Sequence, residues 1–383
     1  MWATVDWESD LRTCEASANV IDHDGDAGVR LTTVPVVGSD DRVVWIEPVL
    51  ASGPGGTPLG AGQVQAWRTA GAVVVDDLVP AGLIAAARRR AVDTFTAAAE
   101  DGPGDFGSGG TFVFPSDCVE LNEITLHPRL LGAVAQLLDC PVRELRLTQS
   151  DLWAKHGKPK PVNDQYDNAD QRMHVDYPNH TLTHPPRWDA PDAVEMIIYA
   201  DDVEECGGPT AVVLREGPDD PAYPWPIIDT PGVGPYAWVN DRGRAEASMA
   251  EAAPHVADWR AAQLYARERR VRYRPGTVLM YRHDTWHRGT PITAGALRVV
   301  QNLTFRRAAS EWISTVHEGW AWAMYRRSQV IERLIATATT DQRCVLGFPA
   351  PGHPYWTADT IAAVESRYCA FGIDMDDYRM ASD

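Results

Sequence analysis

The sequence predicts a mainly β protein with flanking helices, and three observations support this prediction. After residue 141 the chain carries short apolar runs rich in β-branched and aromatic residues, separated by Gly, Pro, Asn and Asp. Such closely spaced runs are typical of an antiparallel sandwich or barrel. Helical patterns rich in alanine and leucine lie before these runs, and another begins near Glu311. The 383 residues, of which 44% are hydrophobic, suffice for a sizeable core.

The first elements follow residue 63. The stretch GAVVVDDLV, from Gly71, predicts a buried strand because it is a short continuous apolar run. Pro80 then precedes AGLIAAARRRAVDTFTAAAE, and Pro128 precedes RLLGAVAQLLD. Both stretches are predicted to be helices, since proline is well tolerated in the first helical turn.

Six later segments predict the strands of the sandwich or barrel. They are RELRLTQSDLWAK from Arg143, the stretch around His174, AVEMIIYADDV from Ala193, GPTAVVLRE from Gly208, VRYRPGTVLMYR from Val271 and ALRVVQNLTFRR from Ala296. An insert of about residues 216–270 separates the fourth segment from the fifth. Because segments this long between core strands usually carry function, we expect it to be a lid or a binding loop.

The chain is expected to form one compact unit with three parts. Residues 1–62 are predicted to be an N-terminal extension, residues 63–310 the β domain with its insert, and residues 311–383 a helical C-terminal extension. The C-terminal helices are expected to pack on the outside of the sheet or against another subunit, and the sequence therefore leaves a homodimer open.

Charge and composition exclude several classes of partner. The formal net charge of −18 argues against nucleic acid and against an anionic membrane, because both require a basic surface. Six cysteines without a C-x-x-C pair argue against a zinc knuckle. The start MWATVDWESD lacks the basic and apolar regions of a signal peptide, and no stretch of about 18 apolar residues occurs. We therefore expect a cytoplasmic protein.

A candidate metal centre begins with His174 and Asp176 in QRMHVDYPNH. On an extended strand these two side chains project to the same side, because successive side chains alternate. His287 follows Trp286 just after the predicted strand GTVLMYR and is the candidate third ligand. Two imidazoles and one carboxylate bind one face of Fe(II) and leave positions open for a cosubstrate and O₂. His283, four residues earlier, is the alternative to His287.

A basic residue stands where a 2-oxoacid cosubstrate would need one. Arg298 follows His287 by eleven residues, after the turn GTPITAG, so a returning antiparallel strand would point it into the same cavity. An arginine fork binds a carboxylate through two parallel hydrogen bonds. Asn302 would share the strand face of Arg298. Gln149 and Thr210 are polar residues in apolar strands, which suits either a hydrogen bond to 2-oxoglutarate or a satisfied position in the core.

The loop KHGKPKP, from Lys155 to Pro161, is a basic cluster in an acidic protein. A solvated surface loop is the more typical reading of such a cluster. The alternative is contact with an anionic substrate.

At these residues the sequence resembles the phytanoyl-CoA dioxygenase family of Fe(II)/2-oxoglutarate oxygenases. The family's H-x-D, distal H and downstream R match His174, Asp176, His287 and Arg298 one for one. Its strand–helix opening is similar to AGAVVVDDLVPAGLIAAARRR, and its glycine-rich strand entrance is similar to CGGPTAVVL. The resemblance covers roughly residues 63 to 308. It departs from the family at REGPDD, where a P-G-S-H-like turn is usual.

The resemblance implies a double-stranded β-helix core, a cupin-like jelly roll with the metal at its mouth. It also implies an Fe(II)- and 2-oxoglutarate-dependent dioxygenase that converts 2-oxoglutarate and O₂ to succinate and CO₂. The expected reaction is oxidation, most simply hydroxylation, of a small or medium-sized organic substrate. The retained Asp176 argues against halogenation, which in related enzymes goes with loss of this carboxylate.

Two other functions remain open from the sequence. One is a non-catalytic jelly-roll protein that binds a metal or a ligand, and the other is a cupin-type metalloenzyme that does not use 2-oxoglutarate. Arg298 argues against both, because neither requires a buried cation at that spacing.

Overall fold

The computed structural model describes most of the β domain and parts of both extensions. The described residues are 19–21, 29–35, 42–95, 110–158, 169–176, 191–224, 239–310, 330–346, 350–353 and 371–381, with Trp188, Thr230, Pro231, Trp356, Ala358 and Ile361. Within them, thirteen strands form two sheets.

The larger sheet has seven strands. In spatial order they are β4 (Val49–Leu50), β5 (Ala72–Asp76), β11 (Val278–Tyr281), β8 (Ala193–Tyr199), β13 (Leu297–Arg307), β7 (Leu145–His156) and β6 (Gly110–Val113). All neighbours are antiparallel except β4 and β5. The longest pair, β13 with β7, is interrupted by one register shift between Thr304 and Phe305.

The smaller sheet has six strands. They are β1 (Asn19–Ile21), β2 (Arg30–Pro35), β3 (Arg42–Glu47), β10 (Arg269–Val271), β9 (Thr210–Val212) and β12 (His287–Gly289). Residues 171–174 continue this sheet beyond β12, through a single antiparallel bridge between His174 and His287.

Successive segments of the chain alternate between the two sheets, which makes the fold a jelly roll. β7 lies in the larger sheet, residues 171–174 in the smaller, β8 in the larger, β9 and β10 in the smaller, β11 in the larger, β12 in the smaller and β13 in the larger. The predicted mainly β class with a double-stranded β-helix core is therefore confirmed. The N-terminal β3 and β4 extend the two sheets through parallel pairing with β10 and β5.

Four helices pack on the outer face of the larger sheet. They are α1 (Ala61–Ala70), α2 (Ala81–Thr94), α3 (Val119–Thr125) and α4 (Pro128–Leu138). Their apolar faces bury Trp67, Ile84, Leu121 and Leu130 against outward-facing strand residues such as Leu303. Pro80 precedes α2 and Pro128 opens α4, as the sequence predicts.

A second apolar cluster fills the space between the sheets. Tyr199, Leu279 and Val300 of the larger sheet meet Val212 and Val271 of the smaller sheet there. Both faces of the larger sheet are therefore buried, one by the helices and the other by the smaller sheet. This explains the nearly continuous apolar runs in its strands.

Further described helices lie in the insert and in the C-terminal part of the chain. α5 (Val203–Cys206) precedes β9, while α6 (Arg242–Ala252) and α7 (Pro254–Trp259) lie in the insert. The C-terminal part contains α8 (Val330–Thr337), α9 (Thr340–Val345) and α10 (Asp376–Met380). Most of the long C-terminal helix predicted from Glu311, and most of the helix predicted after Thr357, lie outside the described residues. No helix among those described is long and apolar enough to cross a membrane.

The outer-face core predicts a clear stability difference between two leucines. Leu303 is fully buried under the helices, whereas the side chain of Leu50 on β4 is 60% exposed. We expect Leu303→Ala to lower the free energy of unfolding by about 2–5 kcal/mol, because it leaves a cavity. Leu50→Ala should change it by less than about 0.5 kcal/mol. Urea unfolding measures both, and similar losses for the two variants would contradict the assigned core.

Candidate metal centre

Two backbone hydrogen bonds bring the predicted metal ligands together. The N–H of His174 donates to the carbonyl oxygen of His287 at 2.9 Å, and the N–H of His287 donates back to His174 at 2.9 Å. The N–H of Asp176 donates to the carbonyl oxygen of His283 at 3.1 Å. The segment around His174 is thus held by isolated bridges and is not the regular strand that the sequence predicts.

The three side chains meet at one point. One ligand atom from each of His174, Asp176 and His287 lies within 4.8 Å of the others. The Nε2 of His174 is 3.7 Å from Asp176 Oδ1, and the Nε2 of His287 is 3.3 Å from Asp176 Oδ2. Both histidines are buried, whereas the carboxylate is partly accessible. Among the described residues, no other histidine, cysteine or carboxylate groups gather in this way.

The backbone fixes the orientation of both imidazoles. The Nδ1 of His174 lies 2.9 Å from the carbonyl oxygen of Arg172, and the Nδ1 of His287 lies 3.0 Å from that of Thr285. A carbonyl oxygen only accepts hydrogen bonds, so each Nδ1 carries the proton of the neutral ring. In the neutral ring each Nε2 then has the lone pair that a metal ion requires, and it lies beside the Asp176 carboxylate.

Burial and neighbouring charges act differently on the two histidines. Burial, followed by the neighbouring His287 and Arg172, lowers the pKa of His174 to about 3. His174 is therefore neutral at physiological pH. Burial also lowers the pKa of His287, but the Asp176 carboxylate more than offsets this effect and raises it above the ordinary value.

Tyr281 is a site residue that the sequence analysis missed. Its hydroxyl donates to Asp176 Oδ2 at 2.9 Å, and its ring centroid lies 4.6 Å from that of His287. Burial and then the nearby Asp176 raise the pKa of Tyr281 well above its ordinary value, so the hydroxyl keeps its proton and remains a donor. The strand alternation in GTVLMYR places Tyr281 on the inner face with Leu279, and that was the available signal.

His283 does not join the cluster of three. Its Nε2 pairs with Glu195 Oε1, and both side chains are buried. The other oxygen of Glu195 accepts a hydrogen bond from Thr304. His283 thus belongs to a polar row on the inner wall of the larger sheet, where Tyr281, Glu195, Thr304 and Gln149 follow one another in register.

Arg298 lies on the inner face of β13 and is 8% exposed. Its guanidinium donates to the carbonyl oxygen of Gly208 just before β9, while His287 pairs with Val212 at the other end of β9. The Nε of Arg298 is buried and has no hydrogen-bond partner among the described residues. A buried guanidinium nitrogen without a partner fits a site that accepts a ligand oxygen.

Polar groups surround this arginine. Thr210 on β9 accepts a hydrogen bond from the Tyr199 hydroxyl at 2.7 Å. Burial raises the pKa of Tyr199 to about 12, and the nearby charge of Arg298 opposes this shift. Lys155 pairs in register with Arg298 and is also buried. It lies in β7, which continues to His156, whereas the sequence predicts that a basic loop begins at Lys155. Lys155 therefore brings a second cation to this end of the barrel.

Gln149 and Asn302 lie on the same inner wall, nearer the metal ligands. Gln149 pairs in register with Thr304, and its amide donates to Asp151 Oδ2 at 2.8 Å. The Oδ1 of Asn302 is buried and has no hydrogen-bond partner among the described residues. Of these two residues, Asn302 has the vacant hydrogen-bonding capacity.

The side chains present fit a divalent metal ion and a dicarboxylate. Two nitrogen donors and one oxygen donor converge on a single point, and such a set leaves coordination positions open in non-haem Fe(II) centres. Arg298 supplies a buried cation with vacant hydrogen-bonding capacity on an adjoining part of the barrel.

The family model of phytanoyl-CoA dioxygenase (PhyH) matches residues 67–300, which is more than half of the chain. The chain therefore belongs to the phytanoyl-CoA dioxygenase family. It is accordingly an enzyme that uses non-haem iron and 2-oxoglutarate. A search of curated proteins finds no match to this sequence.

Several solved structures are similar to the chain at low sequence identity. EvdO2 from Micromonospora carbonacea var. aurantiaca is 14% identical, with 68% of this chain and 94% of that chain covered and a TM-score of 0.46. The α-ketoglutarate-dependent epimerase SnoN from nogalamycin biosynthesis is 17% identical, with 64% and 82% covered and a TM-score of 0.42. The carbocyclase SnoK from the same biosynthesis is 15% identical, with 69% and 90% covered and a TM-score of 0.42.

The close approach of Gly208 to Arg298 predicts that a methyl group is poorly tolerated there. A Cβ at Gly208 would lie 3.1 Å from Arg298 Nη1 and 2.6 Å from Ile292 Cγ1, and its φ is +61°. We expect Gly208→Ala to lower the free energy of unfolding by about 2–5 kcal/mol, the sum of left-handed backbone strain and overpacking.

Gly295→Ala is the matched control for this prediction. Gly295 has a φ of +78°, but no atom lies within 4 Å of its added Cβ. Gly295→Ala should lower the free energy of unfolding only by the backbone strain, about 1–2 kcal/mol. Urea unfolding compares the two variants, and equal losses would show that the contacts around Gly208 relax without cost.

Proposed function

We propose that His174, Asp176 and His287 bind Fe(II), that Arg298 anchors 2-oxoglutarate, and that the enzyme hydroxylates a small or medium-sized organic substrate. The observation that carries this proposal is the convergence of the three ligand atoms within 4.8 Å in a barrel that also buries Arg298. When bound, iron with 2-oxoglutarate and O₂ supplies the oxidising power, and 2-oxoglutarate leaves as succinate and CO₂.

The residues around the ligands orient them. The carbonyl oxygens of Arg172 and Thr285 hold each imidazole with its Nε2 toward the metal position. The Tyr281 hydroxyl donates a hydrogen bond to Oδ2 of Asp176, which fixes the orientation of this carboxylate. Fixing the ligands in this way lowers the reorganisation needed when the metal binds.

We assign Arg298 and its neighbours to the 2-oxoglutarate carboxylate that lies away from the metal. A carboxylate placed there would accept hydrogen bonds from the Arg298 guanidinium and would be attracted by Lys155. Thr210, beside the Tyr199 hydroxyl, is the candidate hydroxyl contact. Asn302 is the candidate contact nearer the metal, because its buried Oδ1 has vacant capacity. Gln149 remains a weaker candidate, because its amide already donates to Asp151.

The alternatives fit the same residues less well. A structural metal site is usually closed by four protein ligands, whereas the described residues bring three together. A metalloenzyme without 2-oxoglutarate does not require a buried guanidinium such as that of Arg298, whose Nε has no partner among the described residues. Hydroxylation, a homodimer and a cytoplasmic location remain predictions from the sequence.

Loss of the carboxylate should abolish the metal site. We expect Asp176→Ala to weaken Fe(II) binding by more than about 100-fold, since even partners that only orient metal ligands contribute 10–100-fold. Asp284→Ala is the matched control, because Asp284 is another partly buried carboxylate and pairs with Arg282. Anaerobic equilibrium dialysis measures both affinities. If Asp176→Ala retains the wild-type affinity, the metal ligands lie elsewhere.

Loss of the buried cation should weaken cosubstrate binding. We expect Arg298→Gln to lower the affinity for 2-oxoglutarate by about 2 kcal/mol or more, because a buried charged hydrogen bond is lost. Arg307→Gln on the same strand should bind like wild type, since Arg307 donates to the carbonyl oxygen of Leu138 outside the barrel. The readout is the visible charge-transfer band of the anaerobic Fe(II)–2-oxoglutarate chelate.

Two results of this titration would count against the proposal. If wild type loaded with Fe(II) and 2-oxoglutarate develops no band, the enzyme does not use this cosubstrate at the assigned metal. If Arg298→Gln binds 2-oxoglutarate as tightly as wild type does, the anchor is a different residue.

A further inference from the structure

The segment that carries His174 is held on two sides. On one side it bonds β12 through the bridge between His174 and His287. On the other side its backbone is bound by residues of the insert. The N–H of Arg172 donates to the carbonyl oxygen of Asn240 at 2.8 Å, and the N–H of Met173 donates to the Tyr265 hydroxyl at 3.0 Å. The insert thus takes the place of a neighbouring strand.

Arg260 is the centre of this contact. Its side chain is 0% exposed, and its Nη2 donates to the carbonyl oxygen of Met173 at 3.0 Å. The same guanidinium binds the Glu246 carboxylate, with Nε at 3.0 Å from Oε2 and Nη2 at 2.7 Å from Oε1. Arg260 also opens a π-helical turn, Arg260–Leu264, a rare geometry that often occurs at functional sites.

Tyr265 is a second insert residue that hydrogen-bonds the backbone of Met173. Its hydroxyl accepts the N–H of Met173 and donates to Glu246 Oε1 at 2.7 Å. Both polar backbone groups of Met173 are therefore bound by insert side chains that share one carboxylate. Met173 is the residue directly before His174, so this network fixes the backbone from which the ligand projects.

The insert also supports the second histidine. The indole nitrogen of Trp286, the residue before His287, donates to the carbonyl oxygen of Ala222 at 2.7 Å. The Trp286 ring packs edge-on against Trp259 with centroids 6.0 Å apart, and the Arg260 guanidinium lies 5.9 Å from the Trp286 ring. Arg260 therefore contacts the neighbours of both histidine ligands.

A stabilising role alone does not explain a buried guanidinium. Desolvation offsets much of the attraction in a buried ion pair, and well-packed apolar residues often do as well or better. An apolar side chain, however, cannot bind the carbonyl oxygen of Met173. The directional hydrogen bond is the property that Arg260 adds at this position.

We propose that Arg260 is a positioning residue for the metal centre, and that residues 239–270 of the insert act as a fixed support for the histidine ligands. This inference rests on the proposed function, because it assumes that the metal binds at His174, Asp176 and His287. It differs from the lid predicted for residues 216–270, of which residues 225–229 and 232–238 lie outside the described part.

The test is a Co(II) titration of the apo-protein, followed through its visible d–d bands. We expect Arg260→Met to weaken Co(II) binding by about tenfold or more and to shift the bands, because partners that orient metal ligands contribute on this scale. Arg343→Met is the matched control. Arg343 is 3% exposed and donates to the carbonyl oxygens of Ile335, Ala336 and Asp374, in the C-terminal part of the chain. It should bind Co(II) with wild-type affinity and spectrum.

A second variant keeps the test decisive if Arg260→Met does not fold. Tyr265→Phe removes only the hydroxyl that bonds Met173 and Glu246, and it should weaken Co(II) binding in the same direction by a smaller factor. Arg260→Lys should recover part of the affinity. If the folded Arg260→Met or Tyr265→Phe protein binds Co(II) with wild-type affinity and spectrum, the inference is overturned. If the wild-type protein itself shows no bound Co(II) spectrum, the result contradicts the proposed metal site and not only the role of Arg260.

Discussion

The reciprocal backbone hydrogen bonds between His174 and His287 connect two segments that are more than one hundred residues apart in sequence. Because these bonds fix the register of the two segments, they also fix where both imidazoles project. A slip of one residue would turn each side chain to the opposite face of the sheet. The position of Asp176, the tautomers of the histidines and the contact with Tyr281 all follow from this register.

The second constraint on the site is that the barrel buries a cation, Arg298. Burial of a guanidinium is costly unless its hydrogen-bonding groups find partners. In Arg298 one nitrogen binds the carbonyl oxygen of Gly208, while Nε has no partner among the described residues. A bound carboxylate would supply both the missing acceptor and the missing charge. If Arg298 anchors 2-oxoglutarate as we propose, cosubstrate binding should offset this desolvation cost and stabilise the folded protein.

Residue spacing in the sequence predicted the three side chains that the structure brings together. The spacing of His174 and Asp176, and the turn between His287 and Arg298, are local features, so they are visible without the fold. Tyr281 was not recognised, and Lys155 was assigned to a surface loop, because their positions depend on which strands are neighbours in the sheet. The pairing of His283 with Glu195 likewise depends on long-range register. The contact of Arg260 with Met173 could not be predicted at all, since it depends on how the insert folds back on the barrel.

A crystal structure of the anaerobic enzyme with Fe(II) and 2-oxoglutarate tests the central claim most directly. The account predicts an iron anomalous peak coordinated by Nε2 of His174, Nε2 of His287 and one oxygen of Asp176, with the far carboxylate of 2-oxoglutarate on Arg298. An iron peak coordinated by His283, or a 2-oxoglutarate molecule that makes no contact with Arg298, would contradict it.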